Sequence, residues 1–419
     1  MIIKLTEEEF NEFAIHHPNS IFFQSSYWGK LKQTTGWIPH LVGLKENDKI
    51  TSATLLLAKK IPIFNRYIYY APRGFLTDYS DYKQLDKFIL EIKNYVKANK
   101  GIFVKMNPLI IYQERDTDGN IVENGINNKK LVEHLKKLGF DYNGLTIHYG
   151  KDLEPRWISV LDLRNKTMDD VKKNLRSTTR WDINNSYKHG LKLQEIDETR
   201  MDEFKKLMEH TGERRGFIDR PLSYYQEMYK NFKKYIKVML VELNIDDNIK
   251  AYQETKELAI KKLKQEEQKD RKKDGLLKEL QKQIDSADRK IKESEEIQKK
   301  YGNNIVVAGG LFMTFGKQVV SLFGASYKEF MKYKGQYFLN NEMIKYAIDN
   351  NYDAYNFYGI TGEFNEDSPM FGLFDFKRGF GAHVEELIGE FTLITNSFYY
   401  HIYQLMFKVY KILKKVKKW

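Results

Sequence analysis

Residues 246 to 301 are a long charged stretch set between two segments that both read as compact globular sequence. Its apolar residues fall in a narrow seam. Leu277, Leu280, Ile284, Ala287 and Ile291 are spaced 3, 4, 3 and 4 apart, and the register runs on through Ser294 and Gln298 to Tyr301. Ile249, Tyr252, Ala259 and Leu263 keep the same register in the first half, with Lys256 at a seam position. One stripe on each limb is the pattern of two helices facing one another, and Gly275 predicts the bend between them. A limb of about 25 residues would reach roughly 38 Å at 1.5 Å per residue. The surface carries 16 Lys/Arg against 14 Asp/Glu, which a solvated antiparallel coiled coil laced with ion pairs explains without any ligand. The length of the protrusion fits a large, elongated partner, and both readings stand at this point.

The flanks repeat an order of elements. In the first, a helix is expected at Glu7 to Phe13, strands at Leu41 to Leu44, Ser52 to Leu57 and Tyr67 to Tyr70, a helix over 82 to 99 and a strand at Ile102 to Lys105. After residue 150 come a strand at Ile158 to Leu163, helices over 167 to 188 and 200 to 210, and a strand at Val238 to Leu243. Beyond the arm, Ile305 to Phe315 and Val319 to Phe323 read as a hairpin, then a helix from 336 to 349 and a strand at Ala354 to Phe357. Strands with helices on both faces, twice over, predict a mixed α/β (α+β) duplication. With 419 residues, 42% of them hydrophobic, the chain can bury two substantial cores. The expected division is 1–148 for the first domain, 149–245 with 302–395 for the second, 246–301 for the arm and 396–419 for a C-terminal helix.

The chain has no cysteine, which removes disulfides, thiolate nucleophiles and cysteine metal sites together. Its start has neither a basic n-region with a long apolar core nor a small-residue cleavage site, and no window approaches 18 uninterrupted apolar residues, so a cytoplasmic protein is expected. The net charge of +12 is uneven. Lys408, Lys411, Lys414, Lys415, Lys417 and Lys418 crowd the last segment, interleaved with Phe398, Tyr399, Tyr403, Phe407 and Trp419 and with no acid. Such a helix suits an anionic bilayer surface. It equally suits RNA phosphate, or a helix packed on the body with lysines favourable to its C-terminal dipole.

No zinc-spaced His cluster, P-loop, dinucleotide G-x-G-x-x-G or G-x-S-x-G is present. Polar residues instead sit in aromatic, glycine-bearing segments: Gln24-Ser25-Ser26-Tyr27-Trp28 with Lys32, Tyr70 to Gly74, Lys105-Met106-Asn107-Pro108, and Thr211-Gly212-Glu213-Arg214-Arg215-Gly216-Phe217 running to Arg220 and Tyr224. Gly324-Ala325-Ser326 and the block from Asn356 to Phe376-Lys377-Arg378-Gly379-Phe380-Gly381 follow. In this order and spacing they resemble, over essentially the whole chain, the Fem family of peptidoglycan bridge-forming aminoacyltransferases.

The resemblance implies two acetyltransferase-like (GNAT) domains in tandem with an inserted helical coiled-coil arm. It implies transfer of an amino acid (Gly, Ser or Ala) from aminoacyl-tRNA to the stem-peptide side-chain amine of lipid II or UDP-MurNAc-pentapeptide. No cofactor or metal is then expected, because the ester is already activated and positioning with charge stabilisation suffices. The implied partners are the tRNA, the precursor and an anionic membrane surface at its inner face, and no DNA. By the same resemblance Lys377 stabilises the oxyanion and Lys32 and Arg220 hold the diphosphate, with Arg214 and Arg215 assisting; Tyr224, four residues after Arg220, shares a face with it if that segment is helical. Two positions depart from the family pattern. Asn107 stands where an acid is usual and cannot serve as a base near neutral pH, and Phe323 stands where tyrosine is common. A CoA-dependent N-acyltransferase and a non-catalytic tRNA- or membrane-tethering scaffold are the alternatives; the first lacks the pyrophosphate-binding loop it would need, and the second need not keep Lys32, Arg220 and Lys377.

Overall fold

The computed structural model describes residues 1–150 and 152–416, with side chains up to residue 409. Of the six tail lysines, Lys408 is among the described side chains; those of Lys411, Lys414, Lys415, Lys417 and Lys418, with Trp419, lie outside them.

Two mixed sheets carry the fold. The first runs, in spatial order, Ile3–Lys4, Ile38–Glu46, Lys49–Lys60, Tyr67–Ala71, Gly101–Met106, Phe391–Ile394 and Phe140–Tyr142. The second runs Ile111–Glu114, His383–Leu387, Trp157–Asp162, Ala354–Ile360, Gln318–Ser326, Asn304–Met313, Ile236–Asn244 and Leu191–Ile196. Phe391 and Leu393 point into the first core beside Val104 and Met106, while Ile102 and Phe103 on the other face pack beneath the C-terminal helix.

The sheets exchange strands. Ile111–Glu114, early in the chain, pairs with His383–Leu387 in the second sheet, and Phe391–Ile394, late in the chain, lies between Gly101–Met106 and Phe140–Tyr142 in the first. The sequence boundaries at 148/149 and 395 therefore do not separate one sheet from the other. The crossing near Gly389 (φ +90°) is held by buried acids. Glu386 accepts from Arg115 Nε at 2.6 Å and from Arg156, while Glu390 accepts from Lys105, from Asn143 Nδ2 at 2.6 Å and from the Leu153 N–H at 3.3 Å. Buried carboxylates need such partners. One core is also common to both halves, with Phe10, Phe22 and Trp28 against Phe204, Leu240 and Phe315.

The arm is the helix pair Ile245–Glu267 and Asp274–Tyr301, inserted between the antiparallel strands Ile236–Asn244 and Asn304–Met313. Tyr252, Ala259, Leu280, Ala287 and Ser294 form its buried seam, and Lys256 is tolerated there because its ammonium meets Asp288 at 2.5 Å. The bend is not at Gly275, which lies in the first turn of the second helix; it spans residues 268–273. Buried Glu266 closes it by accepting the Lys273 N–H at 3.2 Å. Tyr301 also leaves the seam, half exposed and edge-on to Phe330. At the base, Asn248 is fully buried, donating to the His189 carbonyl and accepting from Ser294 Oγ, both at 2.9 Å.

The C-terminal helix Ser397–Val416 packs its first turns on the first domain, with Tyr400 and Tyr403 on Phe103 and Tyr399 between Phe64 and Arg66. Phe398, Leu405, Phe407 and Val409 remain exposed. Among the described residues no helix is long and apolar enough to cross a membrane.

Candidate active site

Ser25 caps the helix Ser26–Gln33 by accepting the Trp28 N–H at 3.1 Å, the ordinary satisfaction of a free helix N–H. Gln24, fully buried, fixes this entry to the first sheet. Its Oε1 accepts the Leu55 N–H at 2.8 Å and its Nε2 donates to the Pro72 carbonyl at 2.7 Å. The helix then presents Lys32, whose ammonium lies 4.4 Å from the centre of the Trp28 ring.

Arg220 arrives from the other half of the chain. The helix Met201–Arg215 ends at Gly216 in the left-handed region (φ 76°), a conformation glycine adopts without strain. The loop beyond it is pinned by Asp219, which receives Lys205 Nζ at 2.7 Å and the Tyr225 hydroxyl at 2.5 Å. Arg220, the next residue, lies before the helix Leu222–Phe232 rather than on one helical face with Tyr224; it reaches over the helix start and lays its guanidinium 4.8 Å over the Tyr224 ring in the first turn. Burial lowers the proton affinity of Lys32; the charge of Glu154 opposes that shift and Arg220 adds to it. Lys32, Arg220 and Tyr224 are thus brought together.

Glu154 was not legible as a site residue. It precedes the strand Trp157–Asp162, and its Oε2 accepts the Tyr358 hydroxyl at 2.6 Å. Burial raises its pKa, while Arg73, the Tyr358 hydroxyl, Lys32 and Arg220 pull it back. Arg73, almost wholly buried with φ +55°, donates Nη2 to the Pro155 carbonyl at 2.7 Å.

Lys377 lies near the end of the short helix Phe371–Arg378, 6% exposed. Its ammonium donates to the Gly359 carbonyl at 2.7 Å and the Tyr358 carbonyl at 3.2 Å. Those carbonyls sit at a bulge in Ala354–Ile360, where Tyr358 takes φ +63° and gives its N–H to Asn356 Oδ1 at 2.7 Å. Burial pulls the Lys377 pKa down to about 7. An ammonium has three N–H bonds, so two carbonyls leave one for a substrate oxygen.

Asn107 serves as a brace. Its Oδ1 accepts the Arg73 N–H at 2.9 Å and the Tyr70 hydroxyl at 3.2 Å, while its buried Nδ2 has no partner among the described residues. Arg214 differs from the others: it lies in the last turn of its helix, its guanidinium pKa is lowered by burial and by Arg215, and its Nε has no partner among the described residues. The ring of Phe323 stands edge-on to Tyr225 at 5.7 Å.

A fold of two strand-exchanged sheets with a helical arm, and cations from both halves acting on one half-buried acid, define a particular class. The profile of the FemAB family matches residues 5–408, and the chain belongs to that family. It is 31% identical over 412 residues to aminoacyltransferase FemA of Staphylococcus aureus strain MRSA252, covering 97% of this chain and 98% of that one, and the protein of that name from strain N315 matches to the same extent. The crystal structure of FemX superposes with a TM-score of 0.77 at 26% identity, covering 96% of this chain and 99% of that one.

Proposed function

We propose that the chain, an aminoacyltransferase by family, moves an amino acid (glycine, serine or alanine) from aminoacyl-tRNA to the stem-peptide side-chain amine of lipid II or UDP-MurNAc-pentapeptide. The observation that carries this is Tyr358, whose carbonyl receives Lys377 and whose hydroxyl reaches the acid facing Lys32 and Arg220. A diphosphate-bearing acceptor is held at one end and the reacting carbonyl at the other.

In this reading Lys32 supplies a point charge and Arg220 a planar fork for the diphosphate, with Tyr224 bracing the guanidinium. Lys377 gives its remaining N–H to the oxyanion of the tetrahedral intermediate, within a site too dry for water to screen it. Holding amine and ester together supplies most of the remaining acceleration. The helical arm braces the tRNA, and the C-terminal helix rests on the inner face of the membrane through its exposed apolar residues, the protein itself being cytoplasmic.

The test is incubation with lipid II, or its UDP-linked form, and a panel of charged tRNAs, followed by product mass. Gain of one amino-acid residue, dependent on a charged tRNA, is expected. Transfer from acyl-CoA with none from any charged tRNA would overturn the proposal.

A further inference from the structure

The acceptor amine arrives as an ammonium and must lose a proton before it can attack, yet Asn107 cannot take one. Glu154 is the acid that remains in the cluster. Among the described residues, the ionisable side chains acting on it include Lys32, Tyr70, Arg73, Arg220, Tyr224 and Tyr358. Its carboxylate is hydrogen-bonded to the Tyr358 hydroxyl at 2.6 Å. Tyr358 in turn accepts the Lys377 ammonium through its own carbonyl, so a single residue links the carboxylate and the ammonium.

We propose, resting on the function just given, that Glu154 takes the proton of the attacking amine and that diphosphate on Lys32 and Arg220 switches it on. The second part follows from electrostatics. In the free enzyme both cations favour the ionised carboxylate and lower its affinity for a proton. A diphosphate seated on them cancels that field, so burial, already the strongest influence on the carboxyl, is opposed by Arg73 and the Tyr358 hydroxyl without Lys32 and Arg220. The carboxylate becomes the stronger base when the precursor is in place.

The atoms balance. The ammonium gives one proton to Glu154; the amine nitrogen bonds to the ester carbonyl carbon, and the carbonyl electron pair moves to the oxygen facing Lys377. Collapse restores the carbonyl and breaks the ester C–O bond. The departing ribose oxygen takes the proton from Glu154, and the second proton lost by the nitrogen leaves to solvent.

The experiment is steady-state kinetics against pH with UDP-MurNAc-pentapeptide and charged tRNA, for the wild type, Glu154→Gln and Glu154→Asp, with thermal unfolding of each. Turnover in Glu154→Gln is expected to fall about 100-fold or more and to lose its acid limb, while the precursor binds several-fold tighter because a carboxylate beside its phosphates is gone. Glu154→Asp should keep the limb at a reduced rate. In the wild type, the acid limb of kcat, which reports the complex, should lie at higher pH than that of kcat/KM, which reports the free enzyme. Coincident limbs overturn the switch even if neither variant folds, and a Glu154→Gln enzyme with wild-type turnover and an intact acid limb overturns the base. A wild type that transfers nothing from any tRNA defeats the underlying functional reading instead.

Discussion

Lys377 gives its ammonium to the backbone oxygen of Tyr358 at 3.2 Å. The lysine is therefore oriented by main chain at a bulge and not by a carboxylate. Among the described residues no fixed negative charge offsets its burial, which is why its pKa falls to about 7 and why its protonation state is open to control near neutral pH.

Loss of that ammonium should cost turnover. Lys377→Met is expected to raise the barrier by about 2.7 to 4 kcal/mol, the size typical of losing one oxyanion donor, with precursor affinity little changed. A Lys377→Met enzyme of normal turnover would remove the residue from the chemistry.

In the proposed mechanism the acting form of Lys377 is the cation, so the rate should decline as pH rises through about 7. Stability moves the other way. Between about 7 and the ordinary 10.5 the unfolded chain binds the proton that the folded one has lost, so stability rises with pH across that window and is flat below it. Denaturant titrations of wild type and Lys377→Met should differ in this slope, and parallel curves would refute the shift.

Lys32→Ala and Arg220→Ala should raise KM for the precursor more than they lower kcat. Arg220→Lys should recover little, since an ammonium cannot reproduce the fork lying over Tyr224. Direct binding of UDP-MurNAc-pentapeptide by calorimetry checks this, and equal affinity in all variants would exclude a diphosphate grip.

Asn107 accepts two hydrogen bonds at the centre of the site, from the Arg73 N–H and the Tyr70 hydroxyl, and its removal should be felt in the fold. Asn107→Ala strips the buried Arg73 N–H of its acceptor, a loss of about 1 to 3 kcal/mol that should appear in the melting temperature. Asn107→Asp keeps Oδ1 and replaces only the partnerless Nδ2, and should retain more activity. A more stable alanine variant would contradict the brace.

Lys256 meets Asp288 across the arm, so a short Gly-Ser turn can replace residues 257 to 287 while leaving the Asn248 and Ser294 base intact. The body should melt as before, with use of full-length aminoacyl-tRNA weakened more than use of a short acceptor-stem mimic. Equal losses on both would reduce the arm to a structural element.

Much of this architecture is readable from local pattern, because the seam of the arm, the long strands flanking it and the helix caps are set by residues close in sequence. Gly275 misled because a lone glycine signals a bend, whereas the bend is closed by the reach of Glu266 to Lys273. Lys32 and Arg220 were legible together only through family resemblance. Glu154 sits in a polar stretch before its strand with no periodicity, and its significance comes from Tyr358, 204 residues later. The exchanged strands are short, and the Lys105 to Glu390 pair that fixes one of them spans 285 residues, beyond what any window can register.

That exchange sets an order of events during synthesis. Gly101–Met106 and Phe140–Tyr142 are made early, yet their common neighbour in the sheet is Phe391–Ile394. While the ribosome is still building the intervening chain, the emerging first half has an open slot lined with unpaired backbone, inviting any stray strand. Its closure is among the last steps of folding, and a chain halted short of residue 391 would leave the ribosome with that slot still empty.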